Sequence, residues 1–255
     1  MRKKNPMTEL ANRVAVVTGA ARNIGRAIAC DLAAGGASVV LVARADKAGL
    51  DETAALIRAQ GGRAEVVIAD ITDQASMRAL AVTVESLFGR LDILVNNAAL
   101  RAEHAFEEIT LAQWREVMAV NLDGAFLTTQ ALMPLLRKSD AGAIINMGGL
   151  TAYTGAAKRA HVVAAKAGLD GLTKALAHEF SPLGLTVNLI SPGLIDTARQ
   201  GRSVDRPDHH KHHATLVGRR GLPEEVAAMV RHLAGPRGRY ITGQTIHVNG
   251  GVYLP

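Results

Sequence analysis

The chain is poor in the residues that mark several protein classes. Cysteine occurs once, at Cys30, so no internal disulfide can form, and its apolar neighbours Ala27, Ile28 and Ala29 make it an inert core thiol. Tryptophan also occurs once and aromatic residues make up 3% of the sequence. Basic residues outnumber acidic ones, 29 against 23 for a formal net charge of +6, but they are scattered and lack aromatic interleaving. That argues against a nucleic-acid partner and for an anionic cofactor or substrate. No apolar stretch approaches the roughly 18 uninterrupted residues of a bilayer span, which argues against a membrane partner. The opening MRKKNPMTEL has basic side chains but neither an apolar core nor a small-residue cleavage site. Residues 1–12 therefore read as a flexible tail rather than a secretory signal, and a reducing, cytoplasmic setting is expected.

What is present is a chain of 255 residues, 48% apolar, with 25 glycines, enough for one full core. Short β-branched runs recur at Val14–Thr18, Ser38–Ala43, Ala64–Ala69, Asp92–Val95, Ala143–Met147, Leu185–Ile190 and Thr245–Val248. Most are continuous rather than alternating, as a parallel sheet covered on both faces requires. Segments of helical period separate them: Ile24–Ala34, Lys47–Ala59, Asp73–Phe88, Leu111–Leu136, Ala160–Phe180 and Pro223–Leu233. The pattern predicts a three-layer αβα, doubly wound Rossmann-type sheet of seven parallel strands in one domain, residues 13–255, with ligands beyond the carboxyl ends of the strands. The stretch 195–222 lacks clear period and is too long for an ordinary connection, so it is assigned to the substrate side.

The first strand runs into Thr18-Gly19-Ala20-Ala21-Arg22-Asn23-Ile24-Gly25, where helical period begins. Small residues admit a pyrophosphate to the backbone, and a helix start offers unpaired N–H groups. This turn resembles the T-G-x-x-x-G-x-G pattern of the short-chain dehydrogenase/reductase family, with Asn23 in place of the middle glycine. Asparagine is the non-glycine residue best able to hold a left-handed conformation. The resemblance continues in the family's order through Asp70, Asn96-Asn97-Ala98-Ala99, Asn121-Leu122-Asp123-Gly124, Ser191-Pro192-Gly193, Ile241-Thr242-Gly243-Gln244 and Val248-Asn249-Gly250-Gly251.

At the end of strand two, Ala43 stands where a carboxylate would bind an adenosine ribose, and Arg44 follows it. With Arg22 it offers two guanidinium groups to a ribose phosphate, so NADP(H) is expected over NAD(H). The resemblance implies that Gly19, Asn23, Ile24 and Gly25 approach the pyrophosphate, that Asp70 and Ile71 lie at the adenine, and that Asn97, Ala98 and Ala99 lie at the ribose side. It further implies that Pro192, Gly193, Ile195 and Thr197 lie at the nicotinamide, that Lys166 holds its ribose, and that the protein is a homo-oligomer, a tetramer.

The family's chemical pattern is incomplete. A tyrosine four residues before Lys166 and a serine thirteen before that are expected, and those positions hold Val162 and Gly149. Asn121 is retained. Three readings are open. In the first, Tyr153 or His161 serves as a displaced proton donor, against the plainer reading of each as pocket wall or supporting residue. In the second, hydride passes to an activated enoyl double bond rather than to or from a carbonyl or alcohol; the oxygen then needs only stabilisation as an enolate. Under either chemistry the expected partner is a small-molecule substrate, acidic or a thioester. In the third, the chain is a catalytically silent NADP(H)-binding sensor or partner subunit. His209 and His213 are spaced for one helix face, but hydride transfer needs no metal and none is expected; with Arg202, Arg206 and Lys211 they read as a basic loop. Trp114, Val117, Met118, Val120 and Leu122 read as core or subunit contacts.

Overall fold

The computed structural model describes residues 8–197 and 214–255. Seven strands form one parallel sheet: β1 (Val14–Thr18), β2 (Ser38–Ala43), β3 (Ala64–Ile68), β4 (Ile93–Asn96), β5 (Ala143–Met147), β6 (Thr186–Pro192) and β7 (Thr245–Val248). Their order is β3-β2-β1-β4-β5-β6-β7, so the chain reverses its direction of winding between β1 and β4 and opens a crevice there. Val16 pairs with Val40 on one side and Leu94 on the other.

The helices are α1 (Asn23–Ala34), α2 (Lys47–Ala59), α3 (Gln74–Phe88), α4 (Leu111–Met118), α5 (Gly124–Leu136), the short α6 (Thr151–Thr154), α7 (Ala160–Phe180) and α8 (Pro223–Ala234). Alternate strand residues face opposite layers. Ala15, Val17, Val39 and Leu41 pack with Ile28 and Leu32 of α1, Leu50 of α2 and Val230 of α8. Val14, Val16, Val40 and Leu94 pack with Leu80 of α3, Leu132 of α5 and Phe180 of α7. Burial on both faces is why these strands are written in valine, isoleucine and leucine.

Several boundaries differ from the sequence reading. Asp73 stands before α3 and caps it, its carboxylate accepting from the Ala75 and Ser76 N–H groups. The single helix read over Leu111–Leu136 is divided by a π turn at Ala119–Asp123. Part of the segment read as a flexible tail is anchored: Leu10 is buried, its N–H donates to the Gly35 carbonyl at 2.9 Å, and Glu9 pairs with Arg231. The buried Leu10 and the Glu9–Arg231 pair fix the entry into β1. Cys30 is half-buried, and burial pushes its thiol pKa up, as an unreactive thiol requires.

Candidate active site

The turn after β1 is held by contacts that leave no room for side chains. Gly19 has φ 67° and Asn23 has φ 51°, so the asparagine takes the left-handed conformation that its place in the motif demands. A Cβ on Gly25 would lie 2.1 Å from the Gly19 carbonyl oxygen and 2.6 Å from Asn97 Nδ2. Asn97 closes the knot from β4, its amide donating to the Thr18 carbonyl at 2.9 Å and the Gly19 carbonyl at 3.1 Å. The N–H groups of Asn97 and Ala98 both donate to Thr18 Oγ1 at 3.0 Å. Arg22 occupies the N-cap of α1 in extended backbone with no side-chain cap, and the first turn carries no acidic residue. A helix start of this kind favours an anion. The cradle that a Cβ would fill fits a dinucleotide pyrophosphate.

Around the turn, Arg22 and Arg44 are exposed at the carboxyl edge of β1 and β2. Burial raises the Asp70 carboxyl, but the Thr72 N–H and hydroxyl outweigh it, and Arg44 adds to them, so the pKa falls below its ordinary value. Both Thr72 groups donate to Asp70 Oδ1, at 2.9 and 2.7 Å. Ile71 is buried and Ala99 exposed. On the far side of the crevice, Gly193 sits so close to β7 that a Cβ would lie 2.6 Å from Asn249 Cα, and Ile195 bridges to Gly221. Pro192 ends β6 and Thr197 is half-buried. The sequence-predicted cofactor residues thus line one edge of the sheet.

The chemical residues divide. Lys166 is buried on α7 and its ammonium donates to the Met147 carbonyl at 2.6 Å. Burial, reinforced by the charges of Arg101 and Arg159, brings its pKa from 10.5 down to about 8. Asn121 lies in the π turn with both ends of its amide on Leu100: Oδ1 accepts the Leu100 N–H and Nδ2 donates to the Leu100 carbonyl, each at 2.9 Å. It therefore braces the loop after β4, and π turns of this kind recur at functional sites. Val162 is buried one turn before Lys166, and a Cβ on Gly149 would meet nothing within 4 Å.

Tyr153 and His161 each have other partners. The Tyr153 hydroxyl donates to Thr245 Oγ1 at 3.3 Å, Thr245 in turn donates to Asp170 at 2.6 Å, and the ring packs against His247 and Tyr253. The phenol is drawn to β7, and burial raises its pKa. His161 is fully buried and its Nε2 faces His104 Nδ1 at 3.5 Å. Burial is also the main cause that lowers the His161 pKa below its ordinary value. His104, Arg101 and Arg159 gather at this site without any spacing signal in the sequence; Arg159 immediately precedes α7 and only its late burial identifies it.

The buried lysine has a stability cost. Its folded pKa of about 8 lies below the unfolded value, so between these the unfolded chain binds more protons and stability rises with pH. Below pH 8 the charge is buried at full cost. Lys166→Met is expected to be more stable than the parent by ~1–2 kcal/mol at pH 7, or roughly 2–8 °C in Tm, with the gain fading toward pH 10. Thermal melts at the two pH values check it; a variant that melts lower at pH 7 contradicts the burial argument.

His209, His213 and their basic neighbours lie outside the described residues; among the described residues no group of His, Cys, Asp and Glu could hold a metal. No helix among the described residues is long and apolar enough to cross a membrane. Of the residues read as core or subunit contacts, Val117 is buried and Trp114, Met118, Val120 and Leu122 are half-buried.

A parallel sheet with this order, a glycine turn at its crevice, and a lysine one layer above define a nucleotide-binding oxidoreductase fold. A family model described as enoyl-(acyl carrier protein) reductase matches residues 19–253, and the chain belongs to the short-chain dehydrogenase/reductase family. A 3-oxoacyl-[acyl-carrier-protein] reductase of Synechocystis sp. (strain ATCC 27184 / PCC 6803 / Kazusa) is 38% identical over 253 residues, covering 97% of this chain and 100% of that one. Among solved structures, a dehydrogenase/reductase from Sinorhizobium meliloti 1021 aligns with a TM-score of 0.91 at 34% identity, covering 98% of each chain. A short-chain dehydrogenase from Burkholderia cenocepacia J2315 in complex with NADP aligns with a TM-score of 0.89 at 33% identity, covering 96% of this chain and 99% of that one.

Proposed function

We propose that this protein is an NADP(H)-dependent oxidoreductase that reduces the conjugated double bond of an enoyl thioester. The observation that carries this reading is the pairing of an intact dinucleotide cradle with Val162 and Gly149 at the positions of the family's phenol and hydroxyl. Carbonyl reduction needs an acid beside the hydride acceptor, and its loss typically costs about 10²–10⁴ in rate. Enoyl reduction sends hydride to the β-carbon, and the negative charge develops on the thioester oxygen, where positive charge suffices. Lys166, with Arg101 and Arg159 near enough to depress its pKa, supplies that charge. The α-carbon then takes its proton from water, with no phenol required.

NADPH supplies the hydride when bound. Gly19, Asn23, Ile24 and Gly25 would hold its pyrophosphate, Arg22 and Arg44 its ribose phosphate, Asp70 and Ile71 its adenine, and Lys166 its nicotinamide ribose. Asn97, Ala98, Ala99, Pro192, Gly193, Ile195 and Thr197 would complete the walls. The Burkholderia relative's complex with NADP supports this choice of cofactor. Arg44→Asp is expected to weaken NADPH binding by ~10–100-fold, the loss of a charge-assisted bond, and to leave NADH the tighter ligand. Calorimetric titration reads it, and unchanged selectivity contradicts the phosphate site.

The reaction is tested by following reduced-nicotinamide absorbance with a short enoyl thioester and with the matching 3-oxoacyl thioester. Faster turnover of the enoyl substrate is expected. Faster turnover of the 3-oxoacyl substrate overturns the reading, and tight NADPH binding with no turnover of either restores the sensor or silent subunit. Assembly into a homotetramer is also proposed. A cavity of about 550 Å³ between α5 and α7 is lined by Phe126, Met133, Leu172 and Leu176, and Phe126 is exposed in the single chain, which suits cover by a second copy.

A further inference from the structure

We infer that His104 is a positioning residue, which with His161 clamps the loop after β4 to the first turn of α7 and so fixes the cofactor wall against the face that carries Lys166. The inference rests on the reading of this site as one for hydride transfer.

The loop is tied at three points. Asn97 bonds β1, Leu100 is gripped by Asn121, and His104 ends the run with links to Lys158 and His161. Its N–H donates to the Lys158 carbonyl at 2.9 Å, and its ring meets His161 edge-on, with Nδ1 and Nε2 3.5 Å apart. His161 is fully buried beside the buried Val162.

Gln113 ties the same ring to α4. Its Oε1 accepts the Thr110 N–H at 2.9 Å within the capping box of α4, and its amide nitrogen lies 3.1 Å from His104 Nε2. On the other side, His161 Nδ1 accepts the Val162 N–H at 3.0 Å, which holds that ring in the first turn of α7. The two rings thus join the start of α4, the loop after β4 and the start of α7.

The test compares His104→Phe with His104→Asn, whose amide can reproduce the polar contact that Nδ1 makes with His161. His104→Phe is expected to speed hydrogen exchange of the loop amides by about tenfold and to lower kcat/KM for the enoyl thioester by about tenfold, with NADPH affinity within twofold of the parent. His104→Asn restores both. A His104→Asn protein that behaves like His104→Phe, or a His104→Phe protein with unchanged exchange, overturns the clamp. If the parent turns over no thioester, the reading of the reaction fails by itself, while exchange still decides the clamp.

Discussion

Gly25→Ala is expected to weaken NADPH binding by at least ~100-fold and to destabilise the fold by ~1–3 kcal/mol, the usual cost of overpacking. The new Cβ would stand 2.1 Å from the Gly19 oxygen, 2.8 Å from the Gly19 carbonyl carbon and 2.6 Å from Asn97 Nδ2. The two Gly19 atoms are backbone, and the Asn97 amide is itself pinned by the Thr18 and Gly19 carbonyls. Relief requires moving the Gly19 carbonyl, which Asn97 holds at 3.1 Å, and Asn97 also fixes the end of β1. The clash therefore falls on the backbone whose N–H groups meet the cofactor. Gly61→Ala is the matched control. Its φ of 78° imposes backbone strain, but a Cβ there meets nothing within 4 Å, so it costs ~1 kcal/mol and leaves affinity unchanged. Titration calorimetry with NADPH and chemical denaturation separate the two effects. A Gly25→Ala protein that binds within a few-fold of the parent would remove the argument from close approach.

The strands were readable because burial on both faces forces a continuous apolar run, and each of the seven appears within about two residues of its expected place. The π turn at Ala119–Asp123 was not readable, since it exists to aim Asn121 at Leu100, a contact made across 21 residues. Leu10 gave too little signal, one apolar side chain in a polar opening, to show that Glu9 and Leu10 are anchored. At the site, the interval from Val162 to Lys166 was legible because helix geometry ties spacing to a shared face. Tyr153 shows the limit of that kind of reasoning: its position at the carboxyl edge was right, but the phenol is claimed by Thr245 and Asp170, which lie on β7 and α7. The His104–His161 pair joins residues 57 apart, and nothing in the sequence marks His104.

Restoring the family's pattern by Gly149→Ser with Val162→Tyr is expected to raise NADPH-dependent reduction of a 3-oxoacyl thioester by ~10²–10⁴-fold over the parent, the contribution of a positioned acid. The Gly149 position accepts a side chain into open space, so the serine needs no rearrangement. A tyrosine at position 162 lies one turn before Lys166, whose pKa of about 8 leaves it mostly charged at neutral pH. That charge depresses the phenol pKa toward the working range, and Lys166 is already held by the Met147 carbonyl at 2.6 Å. Either substitution alone is expected to give a small part of the gain, because the hydroxyl positions the oxygen that the phenol protonates. Turnover of the enoyl thioester does not rise, since its rate-limiting charge is met by Lys166 and not by an acid. Steady-state rates on both substrates measure the contrast. A double variant that folds and binds NADPH but reduces the 3-oxoacyl thioester no faster than the parent shows that the pocket was reshaped for other chemistry, not merely emptied of its acid.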